Sequence, residues 1–214
     1  MKYIEFYDYV KRDAILYTYL LSNFSHVFKK INAWESIEVD RDHILVMKNG
    51  TLIEESTGKK KGIARCFFQQ SFVFPTRHTL ELKALETTEF CLIPADAVFG
   101  KLEKEQILSV FFLQIAEKNE QDLKRQELLV TEVSKNKIIA TLNFLLENNL
   151  TNKTLPVFSD WLHINILAKL ANCSVPTTSS IVNELHDKGI LDIKSSPWKL
   201  TSRDMRIEYF EKEA

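Results

Sequence analysis

Cysteine, glycine and proline are all scarce in this chain, at three, five and five of 214 residues. The three cysteines, Cys66, Cys91 and Cys173, are odd in number and far apart, with no CxxC and no Cys/His pair at metal spacing. That excludes a disulfide framework and a zinc site and leaves buried or half-buried thiols in a reducing cytosol. So few glycines speak against Gly-rich phosphate loops and against an ordinary turn-rich all-β protein. Charge of one sign is also missing: 28 Lys+Arg face 29 Asp+Glu, a formal net of −1. Neither a global basic excess nor an acidic tail is there to announce a partner. No apolar run approaches the roughly 20 residues of a membrane span. The N-terminal stretch carries Glu5, Asp8, Lys11, Arg12 and Asp13 and does not read as a signal peptide. The expectation is a soluble cytoplasmic protein with no membrane association. What is abundant is apolar material, 45% of residues, with 14 Phe, 6 Tyr and 3 Trp, which excludes global disorder. The length allows one large domain or two small ones.

The apolar period changes along the chain. Ile4, Tyr7, Val10, Ala14, Tyr17, Leu20 and Leu21 recur every three or four residues and predict an amphipathic helix over 4–21. From about residue 27 short apolar runs take over. HILVMKNGTLIEES reads as a strand, a tight Asn49-Gly50 turn and a returning strand, and STGKKKG as a polar basic loop. IARCFFQQSFVF is a strand pair or a bent strand stopped by Pro75, and TLELKALETTEFCLIP supplies two more strands, ended by Pro94. Residues 27–94 are thus a β unit of six to eight short strands. ADAVFGKL reads as a short helix, and Lys104 to about Val133, free of Pro and Gly, as a helix of about 30 residues. Such a length suits an interface. A further amphipathic helix, KIIATLNFLLENN, follows Ser134.

The C-terminal part carries the most specific pattern. HINILAKLA predicts a short helix with Ile166, Leu167 and Leu170 inward, NCSV a tight turn, and PTTSSIVNELHDKG a second helix. The second helix has Pro176 in its first turn, Ile181, Val182 and Leu185 inward, and Gly189 at its end. ILDIKSSPWKL then reads as a β-hairpin. Two short helices, a turn and a hairpin make a winged helix-turn-helix. Ala168, five residues before Cys173, sits where the helices must approach closely. Five of the seven residues 174–180 are Ser or Thr, poor choices for a helix interior. Groove reading gives them a reason. The expected DNA contacts are Ser174, Val175, Thr177, Thr178, Ser180 and Asn183, with Lys188, Lys194 and Lys199 on phosphates and Val175 against thymine methyls.

The sequence resembles the Crp/Fnr family of bacterial transcription regulators over nearly its whole length. AKLANCSVPTTSSIVNELHDKGIL looks like the family's helix-turn-helix, KALETTEFCLIPADAVFGKL like its last barrel strand and following helix, and HILVMKNGTL like an early hairpin. Low glycine and short strands bring it nearer to divergent Gram-positive members, the Listeria virulence-regulator subgroup. The resemblance implies an α+β chain: an N-terminal helix with a cyclic-nucleotide-binding-like β-roll (1–103), a long dimerisation helix (104–134) and a winged helix-turn-helix (135–214). It implies a homodimer on a palindromic promoter site of double-stranded DNA. RNA polymerase and an unidentified small-molecule effector are the further partners it allows. The dimer seam is expected at Leu108, Phe111, Phe112, Ile115 and Leu123, in the manner of a coiled coil.

The departures narrow the effector. The family's nucleotide cassette has Gly-Glu near its start and Arg-Ser/Thr-Ala near its end. Here CFFQQSFVFPTRHTLELKAL has neither Gly nor Glu in its first half, and Arg77 and His78 read as an exposed loop after Pro75. No N-terminal cysteine cluster offers an iron–sulfur site, and His26, His43 and His78 offer no haem spacing. The expectation is a regulator without a functional cyclic-AMP site, cofactor or metal. Two alternatives stay open: an interaction module that keeps the fold without binding DNA, and a small-ligand carrier or enzyme on the β-roll. The absence of a nucleophile elbow, a Walker loop, HExxH or placed paired carboxylates speaks against an enzyme.

Overall fold

The computed structural model describes residues 14–54, 63–75, 79–148 and 157–201. The chain divides into two compact units, one of residues 1–57 and 65–124, the other of residues 125–214 with the short stretch 58–64. Residues 4–13 of the helix expected over 4–21, the STGKKKG segment expected as a loop, and Arg77 and His78 lie outside the described residues.

In the first unit, helix α1 (Ala14–Asn23) precedes eight strands: β1 (Lys29–Ile31), β2 (Ser36–Val39), β3 (His43–Asn49), β4 (Leu52–Glu54), β5 (Arg65–Phe67), β6 (Ser71–Val73), β7 (Leu80–Ala84) and β8 (Thr88–Pro94). They form two antiparallel four-stranded sheets, ordered β1-β8-β3-β6 and β2-β7-β4-β5. Between them lies an apolar filling of Val39, Leu45, Met47, Leu52, Phe67, Val73, Leu82, Ala84 and Phe90. The first sheet is buried on its other face as well. Ile44, Val46, Phe72, Cys91 and Ile93 pack there against Leu16 and Leu20 of α1 and against the helices that follow β8. Alternate side chains of β3 thus enter different cores, which is why ILVM reads as one unbroken apolar run.

The expected hairpin at Asn49-Gly50 is corrected. β3 pairs with β6 and β8, and β4 with β5 and β7, so the chain crosses from one sheet to the other at this turn. Gly50 has φ +93°, and a Cβ on it would clash with Thr88 Oγ1 and lie 2.8 Å from Thr88 Cα. Only glycine fits there. A second correction concerns the long helix. Helix α2 (Ala95–Lys104) ends before Gln106, whose φ of 61° breaks the helical path, and α3 (Leu108–Thr131) then runs for 24 residues, about 36 Å.

The second unit continues α3 from Arg125. It adds α4 (Ser134–Asn148), α5 (Ile164–Leu170), α6 (Val175–Asp187) and the antiparallel pair β9 (Leu191–Asp192) and β10 (Lys199–Leu200). Its buried residues include Ile138, Leu142, Trp161, Leu167, Leu170, Val182, Leu185, Leu191, Trp198 and Leu200. Val157 makes an isolated antiparallel bridge to Lys199 of β10, and Phe158 N–H donates to Trp198 O at 2.9 Å.

Candidate nucleic-acid interface

The angle between α5 and α6 is fixed by the turn. Asn172 takes the left-handed conformation (φ 51°), Asn172 N–H donates to Lys169 O at 3.3 Å, and Cys173 N–H donates to Ala168 O at 2.9 Å. This is a Schellman closure with asparagine in the glycine role. Ala168, 2% exposed, supplies the small side chain that the close approach requires. From α3, Arg125 Nη2 donates to Leu170 O at 3.0 Å while its guanidinium lies 4.4 Å from the Phe144 ring centroid. One arginine thus secures the end of α5 and stacks on α4.

Helix α6 starts on a built cap. Ser174 Oγ accepts from Thr177 N–H at 3.2 Å and lies 2.7 Å from Thr177 Oγ1, and Pro176 occupies the first turn. The other end closes at Gly189 (φ 68°), with Gly189 N–H donating to His186 O and Ile190 N–H to Leu185 O. His186 Nδ1 lies 2.9 Å from Leu191 O, which ties the helix to the hairpin. Val182 and Leu185 are buried. The opposite stripe, Pro176, Ser180, Asn183 and Asp187, is exposed, at the three- and four-residue spacing of one helical face. Val175, 44% exposed, and Thr177 flank it.

The expected set of DNA-facing residues therefore needs one correction. Thr178 is fully buried, and its hydroxyl donates to Ser174 O at 2.9 Å, so it serves the start of the helix and faces away from the exposed stripe. Ser174, Val175, Thr177, Ser180 and Asn183 stay together at the exposed side. Lys194 and Lys199 are exposed on the hairpin, where Asp192 accepts from Lys194 N–H at 3.0 Å. That bond leads the causes holding the Asp192 carboxyl below its ordinary range. Lys188 sits at the C-terminal end of α6 with Nζ 2.7 Å from Glu184 Oε1. Lys135 of α4 reaches the same oxygen at 3.0 Å. These two hydrogen bonds, that of Lys188 first, hold the Glu184 carboxyl down to about 2. No spacing argument connects Lys135 with α6 across 49 residues. Asp187 was missed for a different reason: one acidic side chain on a Ser/Thr-rich face carries no pattern.

The seam residues on α3 also separate. Phe111 is fully buried, stacked on Phe72 and edge-on to Phe74, Phe99 and Phe112. It belongs to the core of its own unit, which corrects its assignment to a partner-facing seam. Leu108 and Ile115 are half-buried against the same core. Phe112 and Leu123 are outward, 49% and 63% exposed, as is Val130 at 66%. With exposed Ser109, Ala116 and Asn119 they fall at steps of three and four along one face. That is the a/d repeat of a coiled coil. The repeat continues through half-buried Gln126, and its polar members hid it from a search for apolar residues alone.

The sequence is similar to that of a curated regulator, and the structure superposes on solved ones. The HTH-type transcriptional regulator ArcR of Staphylococcus epidermidis is 24% identical, over 76% of this chain and 75% of its own. FixK2 from Bradyrhizobium japonicum superposes with a TM-score of 0.73 at 11% identity, over 86% of this chain and 96% of its own. A CRP/FNR-family transcriptional regulator from Thermus thermophilus superposes with a TM-score of 0.64 at 16% identity, over 84% and 96%. The fold is that of the Crp/Fnr regulators. No family model matches the chain. Within the Crp/Fnr fold, α3 is the long central helix and α5 with α6 the helix-turn-helix. No helix among the described residues is long and apolar enough to cross a membrane.

Proposed function

We propose that this chain is a cytoplasmic, homodimeric, sequence-specific DNA-binding transcription regulator of Crp/Fnr type that works without cyclic AMP. The observation that carries the reading is the exposed stripe on α6. A helix capped at both ends, buried along Val182 and Leu185, turns Pro176, Ser180 and Asn183 outward beside a hairpin bearing Lys194 and Lys199. The N-terminal turn presents its positive dipole end, suited to a phosphate-lined groove. Ser174 and Thr177 serve backbone or base edges there, Val175 meets thymine methyls, and Asn183 can bond adenine bidentately. ArcR, a regulator by its name, supports the same reading. The homodimer forms along Phe112, Ala116, Asn119, Leu123 and Val130 of α3. Once on its site, the dimer has RNA polymerase as its natural partner.

Genomic footprinting of the tagged protein tests the reading. The expected result is an enriched, two-fold-symmetric motif. Enrichment that tracks other DNA-bound proteins and yields no motif of its own would instead favour an interaction module on the same fold.

A further inference from the structure

We propose that Asn119 makes the dimer of this chain self-selective: its amide, in the middle of the exposed face of α3, fits only a second copy of this chain, parallel and in register. The inference rests on the homodimer reading above and adds to it the residue that chooses the partner. Phe112, Ala116, Asn119, Leu123, half-buried Gln126 and Val130 follow one another in steps of three and four along one face of α3. The apolar members Phe112, Leu123 and Val130 are 49%, 63% and 66% exposed. Asn119 is exposed with them, and its amide makes no hydrogen bond among the described residues. An apolar stripe alone would bury itself against any similar helix, in either direction. The amide removes that freedom.

Enclosed in a seam, with Ala116 and Leu123 one turn to either side, the amide loses its water and needs a hydrogen-bonding partner. In a parallel, in-register pair, Asn119 faces the partner's Asn119, and one amide donates N–H to the carbonyl oxygen of the other. Slipping one helix by seven residues sets one Asn119 against the partner's Phe112. An antiparallel pair centred between Asn119 and Leu123 sets Asn119 against the partner's Leu123. Either arrangement leaves a buried amide without a hydrogen bond. A different chain of the same fold, apolar at this point, leaves the same defect. A polar layer of this kind weakens association and sharpens the choice of partner.

The test is subunit exchange between full-length chains, read by native mass spectrometry. Isotope-labelled wild-type protein is mixed in equal amounts with unlabelled Asn119→Leu, so that both homodimers and the heterodimer differ in mass. Circular dichroism confirms that the variant is folded, and Asn119, exposed on the protomer, lies outside its core. Gln121→Leu, at an exposed α3 residue turned away from the seam, is the control and should give the random heterodimer share of about half. With Asn119→Leu the heterodimer share is expected to fall about threefold or more below that, because one amide faces leucine. Asn119→Leu alone should still associate, about tenfold more tightly than wild type in analytical ultracentrifugation. Random mixing of Asn119→Leu with wild type, or an Asn119→Leu chain that no longer self-associates, overturns the assignment and leaves the homodimer reading intact. Wild-type protein that is monomeric at micromolar concentration overturns both.

Discussion

Two hydroxyl-bearing neighbours on α6 show how much depends on a single position. Ser180 is exposed and Thr178 is fully buried, although the two residues are alike in chemistry and two apart. A Ser/Thr-rich window signals a surface in need of explanation, but it does not say which hydroxyls turn inward. That is decided by the helix phase, and the phase is set by the Ser174 cap. Thr178→Val should therefore cost about 0.5–1.5 kcal/mol of stability, the net worth of one hydrogen bond, and leave base preference unchanged in a binding-site selection. Asn183→Ala should do the reverse: a wild-type melting curve, a loss of about 1–3 kcal/mol in operator affinity, and relaxed preference at one base pair per half-site. The cysteines divide by the same criterion. Cys91 lies in both-face-buried β8, and desolvation pushes its thiol up to about 11. In native protein treated with iodoacetamide near neutral pH, peptide mass spectrometry should find Cys91 the last of the three to be alkylated.

Elements were more legible than their partners. The strands of the β-roll, the helix-turn-helix and the hairpin all follow from apolar period and turn residues, because those signals are local. Pairing is not local. The Asn49-Gly50 turn has the composition of a hairpin, but Gly50 packs against Thr88 and the two strands part into different sheets. Gln106 gives no sequence warning that it will break the helical path, because its left-handed conformation is imposed by its surroundings. The face of α3 was half legible: dense apolar residues at its start mark burial, and only the structure separates the core side from the outward side. That separation gives a paired test. Phe111→Ala removes a fully buried ring from an aromatic cluster and should cost about 3–5 kcal/mol in denaturant unfolding. Leu123→Glu, at a side chain 63% exposed, should leave the fold intact and shift light scattering from dimer to monomer. Glu184 supplies a pH test across α4 and α6. Its carboxyl is held at about 2, below the ordinary 4.5, so its contribution to stability is complete above about 4.5 and is lost as pH falls toward 2. Replacing it by glutamine should flatten that part of the stability–pH curve.

At the scale of the whole molecule, the question is what the β-roll contributes to the proposed DNA-binding dimer. In a nucleotide sensor, a phosphate in a partly buried site needs a charge-assisted partner such as a bidentate arginine, and the ribose needs an acceptor. The space between the two sheets is filled instead by Leu45, Met47, Leu52, Phe67, Val73, Leu82 and Phe90, all buried. The turn from β5 to β6, Phe68-Gln69-Gln70, carries no carboxylate, and the Ser71 hydroxyl that follows it donates to Phe68 O at 2.5 Å. Arg65, the described arginine of these strands, is committed elsewhere: Nη2 is 2.7 Å from Asp122 of α3 and Nη1 3.5 Å from Glu54. It fastens the β4–β5 strand pair to the long helix and is not free to receive a phosphate. Cyclic AMP would have to displace well-packed apolar side chains and break an ion-paired network to gain one charged partner. Calorimetric titration of the protein with cyclic AMP should accordingly show no binding at micromolar concentrations, and operator affinity should be the same with and without the nucleotide. Micromolar binding accompanied by tighter DNA binding would mean that the filled interior opens, and that Arg65 exchanges Asp122 for the ligand. Arg65→Gln separates the possibilities. With the interior closed it should lower the melting temperature and leave the calorimetric trace flat, whereas with an opening interior it should abolish nucleotide binding that the wild-type protein displays.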